Sequence, residues 1–534
     1  MRLEQNPRRS TSALLYDDNE KILDAMTDQQ PLLGYTDIDD VGMRQTWYRR
    51  MYARYVVAIW VFLGFICLYM LRVNLSVAIV AMTVPQSLKN ESVEACPSNT
   101  NDSSDNPTKH DKFDWNPRTQ GFVLGAFFYG YTLSQFIGGI LAERYGAKWI
   151  FGCSLLIAGI LTLFTPIAAQ THVGLLIAIR ILTGIFEGPA FPSVGALWGQ
   201  WVPPLERSII PPIAHAGMLR LNKIFNTFLY FLLFFTGKEV GVIITTPLAG
   251  LLCASNFLGG WPSAFYVFGF ITCIWFVFWC FFSYNSPFEH PRCSKEEQRY
   301  LTIALPKPKK LKTPWRSIAC SLPFWSIAIV SSCIQFVYYV LLTSLPTYFA
   351  TILKFNLQKN GLMFAIPYVF MMIVIVISGQ LADRVRDRKI LSTTVVRKIQ
   401  TVIGGVGSSL FLVLVGYVGC SKVAAMFCIT LAVSFIGFHS SGCQISHLDI
   451  ASNYAGTLVG ITNTLAAIPG IIAPYVVGAI TNNNQTLHAW QLIFNLSAGV
   501  GLFGCIVYCI FFDGNEQSWN QSGLHEVPPS PVAE

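Results

Sequence analysis

The sequence Gly-Ile-Leu-Ala-Glu-Arg-Tyr-Gly-Ala-Lys, residues 139–148, recurs from residue 379 as Gly-Gln-Leu-Ala-Asp-Arg-Val and ends at Lys389. An apolar segment of about 20 residues precedes each copy, which is long enough to cross a bilayer. The copies lie 240 residues apart, from Gly139 to Gly379. This distance is too long for a solenoid repeat and suits two parallel bundles of six membrane helices. The chain is therefore predicted to be a duplication.

Each copy of the motif is predicted to form a tight cytosolic hairpin between two helices. Glycine lets the backbones approach closely, and the carboxylate can face the N-terminus of a neighbouring helix. The arginine and lysine residues hold the loop at the cytosolic face. We therefore predict that four residues gate the conformational change: Glu143, Arg144, Asp383 and Arg384.

Composition identifies an integral membrane protein. Hydrophobic residues make up 53% of the chain and charged residues only 12%, against about 25% charged residues in soluble domains. The net charge of +8 does not indicate nucleic-acid binding, because the basic residues lie in short loops and at segment ends. The sequence contains no nucleophile–base set, metal-ligand cluster or phosphate-binding loop, so we predict neither an enzyme nor a cofactor.

The apolar segments predict an all-α membrane protein with twelve transmembrane helices in two six-helix pseudo-repeats. The first bundle covers residues 54–286, and the second covers residues 317–513. The basic linker, residues 287–316, is cytosolic by the positive-inside rule, and twelve spans place both termini in the cytosol. The segments are residues 55–83, 120–142, 149–169, 174–201, an interrupted fifth ending at 254, 261–284, 317–352, 361–382, 396–418, 424–447, 455–481 and 490–512.

The two tails, residues 1–53 and 514–534, are predicted to be disordered and cytosolic. In the first tail, Asp28 precedes Leu32 and Leu33 by four and five residues. This pattern resembles the dileucine signal by which sorting adaptor proteins direct membrane proteins to endosomes and lysosomes. A disordered tail would leave such a peptide accessible to the adaptor.

The hydrophilic loop at residues 85–118 is predicted to be luminal or extracellular. Asn90 and Asn101 lie there in glycosylation acceptor sequences, which are modified only on that side of the membrane. Cys96 in this loop and Cys420 in a second loop fall on the same side. A disulfide between them is one option, because that compartment permits oxidation.

The fifth segment contains an insertion. Residues 209–217 begin the segment and residues 241–254 complete it. We reject a thirteenth span, because the apolar run at 224–235 is too short to cross and an odd span would move the basic linker outside. The codons that can encode residues 218–237 include sequences that resemble a splice donor and a splice acceptor. Our hypothesis is therefore that an unspliced short intron encodes this stretch. Amplification of the transcript across codons 217–237 tests it, and mature message that always retains this stretch would refute it.

Ionised side chains in the apolar segments are the first functional candidates, because their burial in a bilayer is costly. The first segment carries Arg72, and the fourth carries Arg180 and Glu187. Arg180, Thr183 and Glu187 share one helical face, since they are three and seven residues apart. Arginine can bind a carboxylate through two hydrogen bonds, and a nearby glutamate can exchange a proton. The alternative is that Arg180 and Glu187 only pair with each other.

The second half carries fewer candidates. His447 and Asp449 fall at a helix end, which favours a solvated pair or a conformational latch over a substrate contact. Asn463 can face the cavity or bond a neighbouring helix. Aromatic residues can line a sugar or carboxylate site, although most such residues serve packing; they are Tyr69, Phe128, Tyr129, Tyr131, Tyr338 and Tyr339. We predict substrate contacts from Arg72, Arg180, Tyr129 and Asn463.

The duplicated motif resembles the loop signature of the major facilitator superfamily. Five further motifs are similar to its organic anion and phosphate transporter branch, which includes sialin, the vesicular glutamate transporters and the type I sodium/phosphate cotransporters. They are Leu-Arg-Val-Asn-Leu-Ser-Val-Ala at 71–78, Phe-Phe-Tyr-Gly-Tyr at 127–131, Pro-Pro-Leu-Glu-Arg-Ser at 203–208, Val-Arg-Lys at 396–398 and His-Leu-Asp-Ile-Ala at 447–451. The resemblance implies anion transport by alternating access, with Arg72 and Arg180 on the anion and Glu187 on the proton.

The chain departs from this branch in one motif, with Gln-Phe-Val-Tyr-Tyr at 335–339 where sialin has Asn-Trp-Thr-Phe-Tyr, and at three single positions. It has Thr183 where sialin has a second acidic residue, and it has Leu124 and Ile334 where vesicular glutamate transporters have histidine and arginine. The leading prediction is proton-coupled export of sialic acid, another acidic sugar or a small organic anion from lysosomes. The alternatives are sodium- or potential-driven transport of phosphate or an organic anion such as glutamate at the plasma membrane, and a non-transporting anion sensor.

Overall fold

The computed structural model describes residues 53–84, 112–201, 237–295, 298, 301–302, 313–482 and 484–520, without the side chains of Tyr55, Phe136, Glu143 and Asp387. The helices of the first half are α1 (Ala53–Met82), α2 (Pro117–Tyr145), α3 (Ala147–Thr171), α4 (Val173–Glu187), α5 (Ala190–Trp201), α6 (Gly237–Ala254) and α7 (Pro262–Phe282). Helices α4 and α5 follow one another within one apolar span, Val173–Trp201.

The second half repeats this pattern of long apolar helices. Its helices are α8 (Trp315–Ala319), α9 (Leu322–Thr351), α10 (Leu357–Asp387), α11 (Thr393–Tyr417), α12 (Lys422–Ile436), α13 (Ser446–Ile450), α14 (Ala455–Ala467), α15 (Pro469–Ile480) and α16 (Leu487–Phe511). Helices α14 and α15 share the span Ser452–Ile480. In the described ranges, β pairing is limited to an isolated bridge between Thr83 and Phe113.

Eleven spans in the described part of the chain are long and apolar enough to cross a membrane. Helix α2 is the remaining predicted span. It is 29 residues long, or roughly 43 Å at 1.5 Å per residue, and polar side chains such as Gln120, Gln135 and Arg144 lower its mean hydropathy. With α2, the described helices supply the twelve spans that the apolar segments predict.

Capping residues set where three helices begin, each at an end that the sequence predicts to be non-cytosolic. The Asn116 side chain accepts a hydrogen bond from Thr119 N (2.7 Å) at the start of α2. Asn356 does the same for Lys359 N (2.9 Å) at the start of α10, and Thr486 accepts from Ala489 N in α16. Each cap supplies an acceptor to an N–H group that has no partner within its helix.

The first copy of the duplicated motif forms a tight turn between α2 and α3. Gly146 has a φ of 93°, a backbone conformation that favours glycine. Lys148 ties this turn to the end of α7: its backbone N donates to Asn285 Oδ1 (2.9 Å), and its ammonium donates to the Cys280 carbonyl (3.0 Å). The motif therefore fixes the α2–α3 hairpin against α7.

Several sequence predictions fall outside the described residues. These are the dileucine pattern at Asp28, Leu32 and Leu33, the acceptors Asn90 and Asn101, and the insertion at residues 218–237 apart from Gly237. Helix α6 begins at Gly237 and continues through Lys238 and Glu239, so the second part of the predicted fifth segment is helical. Cys420 is disulfide-bonded, and its partner also lies outside the described residues.

Five helix pairs in the described part of the chain bring the two halves into contact: α1 with α9 and α10, α2 with α14 and α15, and α6 with α10. Small residues allow this close approach. A Cβ atom on Gly250 of α6 would lie 2.9 Å from the Leu357 carbonyl oxygen of α10, and one on Gly478 of α15 would lie 2.6 Å from the Pro117 carbonyl oxygen. These residues lie at the helix ends that the sequence assigns to the lumen. The halves are therefore in contact on the luminal side.

Candidate functional site

Arg72 lies near the centre of α1 and is 7% exposed. Three aromatic rings surround its guanidinium group. The guanidinium carbon lies 5.0 Å from the ring centre of Tyr69, 4.8 Å from that of Phe127 and 4.4 Å from that of Tyr131. Aromatic faces attract a cation, and this attraction is stronger where water is excluded. The rings therefore stabilise the positive charge in an apolar environment.

Glu187, at the end of α4, neutralises this charge. Arg72 Nη2 donates to Glu187 Oε2 at 3.2 Å, and the two side chains are 4% and 0% exposed. Within the described ranges, Arg72 Nε and Glu187 Oε1 have no hydrogen-bond partner. A buried ion pair is strongly favourable only when its remaining hydrogen-bonding atoms are also satisfied. This pair therefore retains a free donor and a free acceptor.

Arg180 approaches the same point from α4. Its Nη1 and Nη2 donate to the carbonyl oxygens of Leu71 (3.4 Å) and Arg72 (3.5 Å). Arg180, Thr183 and Glu187 are all buried, in agreement with the shared face that their spacing predicts. Thr183 Oγ1 donates to the Ile179 carbonyl of its own helix. Its hydroxyl is therefore engaged within α4.

Close packing of α2 on α4 brings these groups together. A Cβ atom on Gly184 would clash with the Phe127 carbonyl oxygen of α2, and one on Gly130 would clash with the Ile181 carbonyl oxygen of α4. With no side chain at either position, the two backbones touch. This contact places Phe127 and Tyr131 of α2 against Arg72.

A small cavity adjoins the two arginines, with space for about one water molecule. Residues of both halves line it: Arg72, Val73, Ser76, Leu124, Phe127, Phe128, Arg180, Leu342 and Thr343. Phe128 of α2 and Tyr339 of α9 meet beside it, with ring centres 4.5 Å apart. Because the walls come from both halves, the cavity changes size when the halves move relative to each other.

Comparison with known proteins identifies the family. The family model of the Major Facilitator Superfamily matches residues 61–210 and 229–474. The chain belongs to the major facilitator superfamily. The unmatched stretch between the two ranges overlaps the insertion predicted in the fifth segment.

Three relatives place this transporter within the superfamily. Human sialin is 39% identical over 481 residues, which cover 89% of this chain and 92% of sialin. Sheep sialin is 38% identical over 475 residues, which cover 88% of this chain and 90% of sheep sialin. Human vesicular glutamate transporter 2 is 37% identical over 474 residues, which cover 87% of this chain and 75% of that transporter. The prediction of a transporter related to sialin and the vesicular glutamate transporters, and not an enzyme, is confirmed.

Solved structures agree on the fold of this transporter. A bacterial homologue of the human lysosomal transporter Spinster, in an inward-facing and occupied conformation, matches with a TM-score of 0.58 at 12% identity, covering 86% of this chain and 96% of that chain. The D-xylose–proton symporter also matches with a TM-score of 0.58 at 14% identity, and the match covers 86% of this chain and 99% of the symporter chain. The all-α fold with twelve spans in two pseudo-repeats is thereby confirmed.

Two predicted substrate contacts of this transporter, Tyr129 and Asn463, are exposed side chains. Tyr129 is 48% exposed and is absent from the described residues that line the cavity. At about 100° per residue, it points away from the face that carries Phe127 and Tyr131. Asn463 of α14 is also exposed, whereas its neighbour Thr462 is buried. Tyr69 and Tyr131 are the tyrosines whose rings contact the Arg72 guanidinium, and the substrate contacts of Tyr129 and Asn463 stay a prediction.

His447 and Asp449 do not pair with each other. His447 Nε2 lies 2.9 Å from Thr462 Oγ1 of α14, and His447 Nδ1 lies 3.1 Å from the Gln444 carbonyl. Asp449 pairs with Arg397 of α11, whose Nε lies 2.7 Å from Asp449 Oδ2. The solvated-pair alternative was wrong, because each side chain has a partner on another helix. Arg397 belongs to the Val-Arg-Lys motif at 396–398 but was not a predicted site residue, because an arginine at a cytosolic segment end resembles an ordinary membrane anchor.

The predicted gating residues of the two motif copies are placed differently. Asp383 is 4% exposed, whereas Arg384 is exposed. Arg144 is exposed, with its guanidinium carbon 5.6 Å from the Tyr145 ring centre. The Glu143 side chain lies outside the described part of the structure. The gating role of these four residues stays a prediction.

Proposed function

We propose that this transporter moves an acidic sugar such as sialic acid, or another small organic anion, out of lysosomes together with a proton. The observation that carries the proposal is the buried Arg72–Glu187 ion pair beside Arg180, next to a cavity that both halves line. A guanidinium group held among aromatic rings can bind an anionic substrate. An adjacent buried carboxylate can take up and release a proton. Both groups lie where alternating access would expose them first to one side and then to the other.

The ion pair suggests how proton and anion are coupled. In the empty site Arg72 and Glu187 neutralise each other. An anion on Arg72 displaces Glu187 from the guanidinium and leaves a buried unpaired carboxylate, which is costly until a proton neutralises it. The empty site and the fully loaded site can therefore both close, whereas a site holding only the anion resists closure. Anion and proton thus stabilise each other's binding, and the expected result is symport.

Two further observations support the substrate class. Leu124 lines the cavity where a histidine would add a positive charge, and Ile334 is buried as an apolar residue of α9. The charged groups at the cavity are therefore limited, among the described residues, to the two arginines and Glu187. A substrate with one carboxylate fits these three charged groups better than a dicarboxylate such as glutamate, because the second carboxylate of a dicarboxylate would lack a partner. The dileucine pattern at Leu32 and Leu33 supports the lysosomal location.

Uptake into proteoliposomes tests the proposal. The transcript is first sequenced across codons 217–237, and the protein it encodes is purified and reconstituted. Radiolabelled sialic acid uptake is measured under an imposed proton gradient or an imposed potential, with glutamate and phosphate as competitors and sodium varied. We expect uptake that follows the proton gradient and falls roughly a hundredfold in Glu187→Gln, because the variant has no carboxylate to exchange the proton.

Glu289→Gln is the matched control, because Glu289 is exposed in a turn after α7 and the variant should retain normal uptake. Uptake that ignores the proton gradient and follows potential or sodium would overturn the coupling and favour an organic anion or phosphate transporter. Binding of the anion without any flux would instead support a sensor.

A further inference from the structure

A second buried ion pair lies in the first half of the molecule, on α6. Lys238 Nζ is 3.0 Å from Glu239 Oε1, and the two side chains are 24% and 0% exposed. Glycines on both sides bring this part of α6 against α1: a Cβ atom on Gly237 would lie 3.0 Å from Phe65 Cβ, and one on Gly241 would lie 2.7 Å from Tyr69 Cβ. The pair therefore lies beside Tyr69, the residue whose ring contacts Arg72. Ionised residues at this depth are rare unless they have a function.

Tyrosines from three helices surround the pair. Tyr69 of α1, Tyr338 of α9 and Tyr368 of α10 are 5%, 4% and 0% exposed, and all three interact electrostatically with Glu239. Lys238 Nζ lies 5.8 Å from the Tyr338 ring centre. The Tyr338 and Tyr368 rings meet edge to face, with centres 6.2 Å apart. Both halves therefore contribute to this cluster, as they do to the cavity at Arg72.

The cluster contains hydrogen-bonding atoms without partners. Apart from the ion pair, neither carboxylate oxygen of Glu239 has a hydrogen-bond partner among the described residues, and the same holds for the hydroxyls of Tyr338 and Tyr368. Buried polar groups are normally satisfied, and an unsatisfied one calls for an explanation. Three atoms, Glu239 Oε2 and the hydroxyls of Tyr338 and Tyr368, have neither a hydrogen bond nor an ion pair among the described residues, and they indicate a site that a polar ligand completes.

We propose that Lys238, Glu239, Tyr338 and Tyr368 form a second substrate subsite, which binds the hydroxyl groups of an acidic sugar while Arg72 and Arg180 hold its carboxylate. The proposal rests on the anion transport proposed above. Tyr69 lies between the two sites, with its ring 5.0 Å from the guanidinium carbon of Arg72. One substrate molecule can therefore reach both sites once the halves separate.

The charges of the subsite select hydroxyl groups over charged ones. The Lys238–Glu239 pair is neutral as a whole. An ammonium group on the ligand would be repelled by Lys238, and a second carboxylate would be repelled by Glu239. A neutral hydroxyl can donate to the Glu239 carboxylate and accept from a tyrosine hydroxyl without disturbing the pair. Tyrosine rings also provide flat apolar surfaces against which a sugar ring can pack.

Calorimetric binding to the purified full-length protein tests the subsite. The two ligands are glucuronate, which carries a carboxylate and hydroxyls on a six-membered ring, and cyclohexanecarboxylate, which carries only the carboxylate. We expect Glu239→Gln and Tyr368→Phe each to weaken glucuronate binding about tenfold, as expected for the loss of buried hydrogen bonds. Binding of cyclohexanecarboxylate should stay within about twofold, since it makes none of these bonds.

Two controls keep the outcomes apart. Tyr348→Phe alters a tyrosine of α9, the helix that carries Tyr338; Tyr348 packs on Trp490 and Phe494, and this variant should leave both affinities unchanged. Arg72→Gln should weaken the binding of both ligands by the same factor, because both present a carboxylate to Arg72. The subsite is refuted if Glu239→Gln and Tyr368→Phe weaken the binding of both ligands equally, or if they leave the binding of both unchanged. In either case anion binding at Arg72 stands. If the unaltered protein binds neither ligand, the transport proposal itself fails, and the subsite fails with it.

Should Glu239→Gln not fold, Tyr368→Phe still decides the question. It removes a single oxygen that has no hydrogen-bond partner in the described structure. Its fold is therefore expected to be intact.

Discussion

Arg72 and Glu187 show how two residues 115 positions apart become one functional unit. Each is a charge in an apolar segment, and each would be costly alone. Together they form a neutral pair within a layer of aromatic rings. Two atoms of the pair, Arg72 Nε and Glu187 Oε1, lack a hydrogen-bond partner among the described residues, and the proposed function assigns them to an anion and a proton.

Stability measurements on variants test this pairing at the residue scale. Arg72→Gln leaves an unpaired buried carboxylate and Glu187→Gln leaves an unpaired guanidinium, so each should reduce the free energy of unfolding by about 3–5 kcal/mol. The double variant removes both charges and should recover most of that loss. Thermal unfolding of the purified proteins in detergent measures all three.

The two single variants should also differ in their dependence on pH. A proton can neutralise the carboxylate that Arg72→Gln leaves behind, whereas a guanidinium cannot lose its proton in a protein. The destabilisation in Arg72→Gln should therefore shrink as pH falls, and that in Glu187→Gln should not. Strictly additive losses in the double variant would show that the two side chains do not interact.

At the scale of the helix, glycine spacing on α2 and α4 decides whether the site forms. Gly130 and Gly184 let the two backbones touch, and this contact directs Phe127 and Tyr131 towards Arg72. On the other side of the molecule, Arg397 and Asp449 link α11 to α13 through an ion pair. Arg397 is 1% exposed, so this link is part of the interior and not of the surface.

Alanine substitutions test the α2–α4 contact. Gly184→Ala places a methyl group against the Phe127 carbonyl oxygen and should destabilise the protein by roughly 1–3 kcal/mol, as overpacking does. Gly195→Ala in α5 is the matched control, because no atom lies within 4 Å of its Cβ position. That variant should be neutral or slightly stabilising, since alanine favours a helix over glycine. Equal unfolding temperatures for the two variants would contradict the proposed contact.

At the scale of the whole molecule, the two halves meet at the helix ends that the sequence predicts to be luminal or extracellular. Arg118 Nη2 of α2 donates to the Tyr475 hydroxyl of α15 at 3.4 Å, and the rings of Phe122 and Tyr475 lie 5.0 Å apart. The α6–α10 contact at Gly250 and Gly361 lies on the same side. If transport proceeds as proposed, with substrate entering from this side, these contacts must separate.

Reversible cross-linking tests whether this separation is required. A short bis-methanethiosulfonate reagent is applied to the double variant Arg118→Cys/Tyr475→Cys in proteoliposomes. Uptake should fall about tenfold or more because the luminal ends can no longer part, and a reducing agent should restore it. The two single-cysteine variants, treated in the same way, control for modification of one thiol. Undiminished uptake in the cross-linked protein would show that the luminal contact does not open during transport.

The sequence by itself determined the architecture. Apolar segments of membrane-spanning length, the duplicated loop at 139–148 and 379–389, and the basic linker at 287–316 are local features that depend on hydrophobicity and charge, and the bilayer acts on both along the chain. The shared face of Arg180, Thr183 and Glu187 also followed from helical periodicity. Each of these features is set by residues near one another in sequence.

Only the tertiary structure decided which residues meet. Helical periodicity orients a side chain relative to its own helix, but the rotation and approach of the neighbouring helices are set by packing. The sequence therefore left open whether Glu187 pairs with Arg180 or with Arg72, and it placed Tyr129 at the site where the structure places Tyr131. The grouping of Lys238 and Glu239 with Tyr338 and Tyr368 required three helices from two halves, a proximity that no sequence spacing encodes.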